Sequence, residues 1–394
     1  MKIVADHKIP FLKGALEGVA ELVYLPGDAI GADDVSQADA LIVRTRTRCD
    51  RALLEGSKVR FIASATIGFD HIDTTYCDAN HISWTNAPGC NANSVKQYMA
   101  SALTFIIRET GKRLDGLTIG IIGAGHVGSR IHAMASSLGM GTLVNDPPRE
   151  RKEGPQHFVS LDEILDKADI ITMHTPLNKE GIDKTLYLAD EDFFKRMKKG
   201  AWFINTSRGE VANTEALLQA LHGNHLHGAI IDVWENEPHI SDALLQKAAI
   251  TTPHIAGYSA DGKANGTTMS VRAVSRHFKL GLDDWAPASM PETDHMVFRV
   301  DCQAMSCEQL VARLSSHTYD IKADSDKLKH SPHTFEKQRE DYPIRREPEA
   351  HQLELLHAKP SHEEIAKALG FSPSLRNSAH NLATFAVKKK NVQL

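Results

Sequence analysis

Leu117–Asp146 reads LTIGIIGAGHVGSRIHAMASSLGMGTLVND, and its order of residue types decides the fold. An apolar run, Ile119–Ile122, meets Gly123, Gly125 and Gly128, and these lead into the helical spacing Val127, Ile131, Met134, Leu138. This is a strand, a tight turn and a helix. Gly123 permits the sharp turn, Gly125 keeps side-chain bulk away from a diphosphate, and Gly128 lets the helix sit close on the strand. His126 and Val127 complete the GAGHVG turn, whose backbone N–H groups would face the diphosphate at the helix N-terminus. A second apolar run, Thr142–Asn145, ends at Asp146, where a carboxylate accepts hydrogen bonds from ribose hydroxyls and repels a 2′-phosphate. NAD is therefore the expected cofactor. Arg149 would accommodate a phosphate if it turned inward, and a solvated loop arginine is the competing reading.

The chain has 394 residues, too long for one ordinary core, so two or three domains are expected. Hydrophobic content of 42% and charged content of 24% describe a globular protein, and a net charge of −5 argues against general nucleic-acid or membrane-surface binding. No segment has the apolar length of a membrane span, and MKIVADHKIPF starts on a strand pattern without a signal-peptide core. A cytoplasmic location is expected. Cys49, Cys77, Cys90, Cys302 and Cys307 are scattered without paired metal spacing, which favours reduced thiols and no metal site.

Outward from the fingerprint, residues 1–93 alternate strands (KIVAD, ELVYLP, ALIVRT, FIASAT, SWTNAP) with helical segments, one of them running toward Gly18. This predicts a small parallel α/β domain of flavodoxin-like type. In VRTRTRC, Arg44, Arg46 and Arg48 alternate, so on an extended backbone they would share one face and suit a phosphate, although a solvated edge explains them too. Gly68, in ATIGFDHID, offers backbone donors to a carboxylate, with Thr66 just before it. Residues 94–256 form the Rossmann domain, entered by a long helix from Asn93 to Gly111 and continued by strands at DIITMHT, AWFINTS, GAIIDV and AAITTPH. Asn213 or Thr214 should cap the helix TEALLQALHG, and Ser160 with Glu163 should cap SLDEILDKA. A helix in 257–285 returns to the first domain. Residues 286–394 make a third, α+β region with helices behind Ser306 and Ser361, a highly charged stretch between them and a frayed basic end, VKKKNVQL. An interface module is the preferred reading of this region, and a flexible tail the competing one.

Three residues fall where strands of the second domain end: Arg208, Glu237 and His254. Oxidation of a 2-hydroxy acid needs a base for the hydroxyl proton as hydride leaves C2, and His254 has the right chemistry. Glu237 would hold and stabilise its imidazolium, and Arg208 would grip a substrate carboxylate. Singly, each has a structural rival: a loop histidine, a turn-capping Glu237, an Arg208–Glu210 pair. Their joint place at the ligand-binding edge of a nucleotide sheet favours the catalytic reading.

The fingerprint followed by INTSRGE, DVWENEP and TPHIAG resembles the D-isomer-specific 2-hydroxyacid dehydrogenases over residues 1–285. The resemblance implies that the arginine binds substrate, the glutamate supports the histidine and the histidine is the acid/base. A narrower set of motifs, ATIGFDHID, NAPGCNANSV, NDPPR, HTPL, AGYSADGKANGTTM and FEKQREDYPIRRE, is similar over nearly the whole chain to one branch of that family. That branch oxidises 4-phospho-D-erythronate to 2-oxo-3-hydroxy-4-phosphobutanoate on the way to pyridoxal 5′-phosphate. The resemblance implies that Thr45, Thr66 and Tyr258 contact substrate, that Asp146, Thr175, Thr206, Asp232 and Gly257 contact NAD, and that the third region makes a homodimer. Arg44 and Arg46 would then hold the substrate phosphate. The alternatives are a phosphoglycerate or glyoxylate enzyme of the same superfold, or a non-enzymatic NAD-sensing protein.

Overall fold

The computed structural model describes residues 1–292 and 296–376; the basic end VKKKNVQL lies outside them. Three parallel sheets organise the chain. The first has the order β2-β1-β3-β4-β5, with β1 at Lys2–Asp6, β2 at Glu21–Leu25, β3 at Ala40–Val43, β4 at Phe61–Ser64 and β5 at Ser83–Thr85. This is the flavodoxin-like order expected from the sequence. β3 and β4 are buried along their whole length, as strands covered on both faces must be.

The second sheet runs β11-β10-β9-β8-β6-β7, with β6 at Thr118–Ile122, β7 at Gly141–Asn145, β8 at Ile170–Met173, β9 at Trp202–Asn205, β10 at Gly228–Ile231 and β11 at Ile250–Thr251. Its strand order reverses between β6 and β8, which opens a crevice at their C-terminal ends. The glycine roles hold physically. Gly123 has φ +90°, and a Cβ on Gly128 would stand 1.9 Å from the Gly123 carbonyl oxygen. Only a hydrogen fits there.

The third sheet, β12-β13-β14, comprises Val297–Asp301, Gln352–Leu356 and Ser374–Arg376. Its β12 alternates exposed and buried residues, as a half-covered edge strand does. Helices Cys307–Thr318, Ile321–His330 and Pro360–Leu369 connect the strands.

Two helices tie these units together. Ala92–Thr110 is buried nearly all round because it packs between the His126–Ser137 helix of the nucleotide fold and the Cys307–Thr318 helix of the third region. Gly111, at φ +64°, ends it in the left-handed cap for which glycine is suited. Ala260–Phe278, capped by Ser259, returns to cover β4. Among the described residues no helix is long and apolar enough to cross a membrane.

Some local expectations fail for clear reasons. Residues 7–20 form turns instead of a helix: Pro10 lacks a donor, and Phe11 and Gly14 take φ +65° and +88°. Leu12 and Leu16 are nevertheless fully buried. The last helix starts at Pro360 behind Lys359, leaving Ser361 inside its first turn, because proline's fixed φ suits the opening position. Asn213 is the cap of its helix, as one of the two candidates, and Ser160 accepts from the Glu163 N–H. Arg44–Arg48 is a turn closed by the Thr47 N–H on the Arg44 carbonyl (3.2 Å), so the three arginines do not share a face. Arg48 points outward, its side chain 85% exposed and paired with Asp50.

Candidate active site

Three loops at the C-terminal edge of the nucleotide sheet carry the catalytic candidates. After β10, Glu237 accepts from the Trp234 N–H through Oε1 (2.9 Å) and faces His254 Nδ1 through Oε2 (2.8 Å). It therefore holds a turn and a histidine at once. Burial raises its carboxyl, but the adjacent His254 and the Trp234 N–H outweigh that and leave it below the usual carboxylate range. His254 sits at φ +56°, its N–H donating to the Asp232 carbonyl at 2.7 Å. A β-type backbone there would aim the ring elsewhere.

Asp232 fixes that loop. Its buried carboxylate accepts from Thr252 Oγ1 (2.6 Å), Ile255 N–H (2.8 Å) and Ala256 N–H (3.0 Å). Burial dominates and raises its pKa. Through these three donors Asp232 braces residues 252–256.

Arg208 follows β9. Gly209 behind it lies so close to the Trp234 backbone that a Cβ would come within 2.0 Å, which draws the arginine loop onto the glutamate loop. The guanidinium donates to the Ser207 carbonyl (2.8 Å) and reaches Asp70 at 3.5 Å; no Arg208–Glu210 pair forms among the described residues. It also abuts Gly68, where a Cβ would stand 2.5 Å from Nη2. Gly68 thus brings the first domain against Arg208. Thr66 Oγ1 donates to the Gly68 carbonyl (3.1 Å).

The nucleotide crevice fits a diphosphate. A Cβ on Gly125 would meet nothing within 4 Å, so space lies open beside the turn, and the His126–Ser137 helix has no side-chain cap on its first N–H groups. His126 is exposed above it and packs against Gly89 of the first domain, whereas Val127 turns into the core. Thr175, after β8, has a buried hydroxyl without a partner among the described residues, and Thr206 Oγ1 faces His174 Nδ1 at 3.3 Å. Burial holds His174 neutral, with its pKa down at about 3. Asp146 accepts from Ala124 N–H (2.7 Å) and Arg149 N–H (3.0 Å). The Arg149 guanidinium is taken up by Glu153 (2.8 and 2.7 Å) and the Ala124 carbonyl (2.6 Å).

A cavity of about 460 Å³ lies between the first domain, the Ala260–Phe278 helix and the third region. It gathers Arg44, Thr45, Arg46, Thr66 and Tyr258, expected above at the substrate, together with Gly257, expected at NAD; Gly68, Arg208, Glu237 and His254 are not among its lining residues. Gly257 packs on Asn91, with no room for a Cβ. It also holds residues not foreseen: Lys8, Asn91, Lys263, Arg339, Glu340 and Asp341. The third region, read above as an interface module, thus walls this cavity. Its Arg345 is buried and donates to the Ile255 (3.1 Å) and Ala256 (2.6 Å) carbonyls, directly after His254. Glu347 accepts from Ser94 and Ser259 hydroxyls, both at 2.8 Å, while Arg346 grips Asp261. One signal in the sequence pointed to Lys263: a cation in the opening turn of a helix opposes the dipole and calls for an anion.

Residues 93–256 match the family described as D-isomer specific 2-hydroxyacid dehydrogenase, NAD binding domain, and residues 293–370 match a domain of unknown function, DUF3410. An erythronate-4-phosphate dehydrogenase of Bacteroides fragilis is 51% identical over 356 residues, covering 90% of this chain and 99% of the relative. One from Porphyromonas gingivalis is 40% identical over 351 residues, covering 89% and 94%. Among solved structures, D-lactate dehydrogenase from Aquifex aeolicus, complexed with NAD and lactic acid, superposes with TM-score 0.60 at 27% identity over 72% of this chain and 97% of that one. The NAD+-bound 3-phosphoglycerate dehydrogenase of Entamoeba histolytica gives 0.61 at 25% identity, over 74% and 99%.

Proposed function

Because this chain belongs to the erythronate-4-phosphate dehydrogenases, within the D-isomer-specific 2-hydroxyacid dehydrogenase family, we propose that His254, Glu237 and Arg208 perform the NAD-dependent oxidation of 4-phospho-D-erythronate to 2-oxo-3-hydroxy-4-phosphobutanoate, a step toward pyridoxal 5′-phosphate. The observation that carries this assignment is the His254–Glu237 contact at the edge of the nucleotide sheet. Bound NAD supplies the acceptor for the hydride that leaves C2.

The chain's residues do the rest. His254, with Nδ1 held by Glu237, takes the C2 hydroxyl proton on its other ring nitrogen, Nε2, as the C2–H electron pair departs and the carbon–oxygen bond becomes a carbonyl. Glu237 stabilises the positive ring that results. Arg208 clamps the substrate carboxylate, with Gly68 and Thr66 shaping the pocket beside it. Asp146, the 123–128 turn, Thr175, Thr206 and Gly257 hold the dinucleotide, and Asp232 keeps the 252–256 loop in register. Arg44, Thr45, Arg46 and Tyr258 face the far end of the acid, where the phosphate lies.

The domain division we propose follows the same logic: 1–93 with 257–285 for substrate, 94–256 for NAD, and 286–394 for a cytoplasmic homodimer. Val297 on the edge strand β12 and Ile344 are exposed apolar residues that support an interface there. Light scattering of the full chain at assay concentration tests it, with a dimer mass expected and a monomer mass refuting it. Steady-state assay of the purified protein with NAD and 4-phospho-D-erythronate, beside 3-phospho-D-glycerate and glycolate, tests the substrate. A clear preference for the four-carbon acid is expected, and preference for another acid overturns that part of the assignment.

A further inference from the structure

The cations of the 460 Å³ cavity are not equally free. Arg44 spends Nε and Nη2 on buried Asp6, at 2.8 and 3.2 Å, which fixes the guanidinium and leaves Nη1 for a ligand. Arg46 pairs with Glu336 of the third region, and Lys8 pairs with Glu340 at 3.0 Å. Two further cations have unmet demands. Arg339 donates Nη1 to Glu336 (2.9 Å), but its buried Nε has no acceptor among the described residues. Lys263 places its ammonium 4.6 Å from the centre of the Tyr258 ring, and among the described residues no carboxylate pairs with it.

A partly buried lysine with an aromatic neighbour and no counter-charge is costly unless an anion joins it. Burial, followed by the nearby Arg345 and Arg44, pushes this ammonium down to about 8. Tyr258 binds the two groups into one wall, since the Arg339 guanidinium lies 5.8 Å from the same ring.

We propose that Lys263 and Arg339 bind the phosphate of the substrate together with Arg44 and Arg46, so that the third region of the chain supplies part of the specificity pocket. This inference rests on the substrate reading given above. Glu336 then has a defined part: it pairs with Arg46 and Arg339 and gives up these donors to the incoming phosphate.

The test compares Lys263→Met, Arg339→Met and the charge-conserving Lys263→Arg with the wild type. The KM for 4-phospho-D-erythronate should rise about thirtyfold in each Met variant, in line with loss of one charge-assisted hydrogen bond. The kcat/KM ratio of phosphorylated acid to unphosphorylated D-erythronate should fall similarly, and Lys263→Arg should recover most of both. Retained NAD affinity and circular dichroism report that each variant is folded. In parallel, inorganic phosphate binding is measured by calorimetry, which does not depend on turnover. Weakened phosphate binding in both Met variants supports the subsite even if the wild type prefers another phosphorylated acid. A wild type that oxidises 4-phospho-D-erythronate, with both folded Met variants keeping wild-type KM, discrimination and phosphate affinity, overturns the subsite and leaves the substrate reading standing.

Discussion

His254 Nδ1 lies 2.8 Å from Glu237 Oε2, across 17 residues of sequence, because the loops that follow β10 and β11 meet at one edge of the same sheet. The glutamate is also the acceptor for the Trp234 N–H, so its position is set by the backbone before the histidine arrives. Glu237→Gln keeps the shape and removes the charge that stabilises a protonated ring. Its kcat/KM should fall about a hundredfold, within the usual range for general-base support, with NAD affinity little changed. Stopped-flow NADH formation checks this, and activity within twofold of the wild type would remove Glu237 from the mechanism.

Arg208 and Gly68 should fail together. Arg208→Ala should lower kcat/KM by more than about a hundredfold, since charge and orientation are lost at once. Gly68→Ala adds a methyl group 2.5 Å from Arg208 Nη2 and must push the guanidinium aside. Its effect should fall on substrate KM. A Gly68→Ala enzyme with unaltered KM would show that Arg208 does not depend on this contact.

The glycines of the fingerprint separate stability from binding. Gly128→Ala puts a Cβ against the Gly123 carbonyl oxygen, which only a backbone shift relieves, so stability should drop by about 1–3 kcal/mol. Gly125→Ala points into open space and should leave Tm nearly unchanged while weakening NAD about tenfold, or 1.4 kcal/mol. Thermal melts with NAD titrations read both quantities. The reverse pattern would contradict the assigned roles.

Lys263 gives the substrate site a pH dependence of known sign. With its ammonium near 8, the charged form that attracts phosphate prevails below that pH and is lost above it. The KM for the phosphorylated acid should therefore climb as pH passes through about 8. Lys263→Arg should flatten the rise. An unchanged rise in that variant would assign the titration to another group.

The nucleotide fold was legible because its signals are local. Gly123, Gly125, Gly128 and Asp146 act through backbone geometry within one strand–helix–strand unit, and the ends of β9, β10 and β11 placed Arg208, Glu237 and His254 on one edge. The third region was not, because its charges are buried by partners far away in sequence. Arg345, Arg346 and Glu347 lie in what the sequence shows only as a highly charged stretch, yet they are 5%, 9% and 4% exposed, held by the Ile255 and Ala256 carbonyls, Asp261, Ser94 and Ser259. The same distance effect hid Arg339. For VRTRTRC, a turn closed at Thr47 replaced the extended backbone, so alternation no longer meant a shared face.

The most direct measurement is single-turnover transfer from 4-phospho-D-erythronate deuterated at C2 to NAD, in the wild type and in His254→Ala. Deuterium should appear in the reduced nicotinamide with the wild type. His254→Ala should bind NAD normally and transfer nothing at a measurable rate. Deuterium transfer by folded His254→Ala at the wild-type rate would contradict the assignment of His254 as the base.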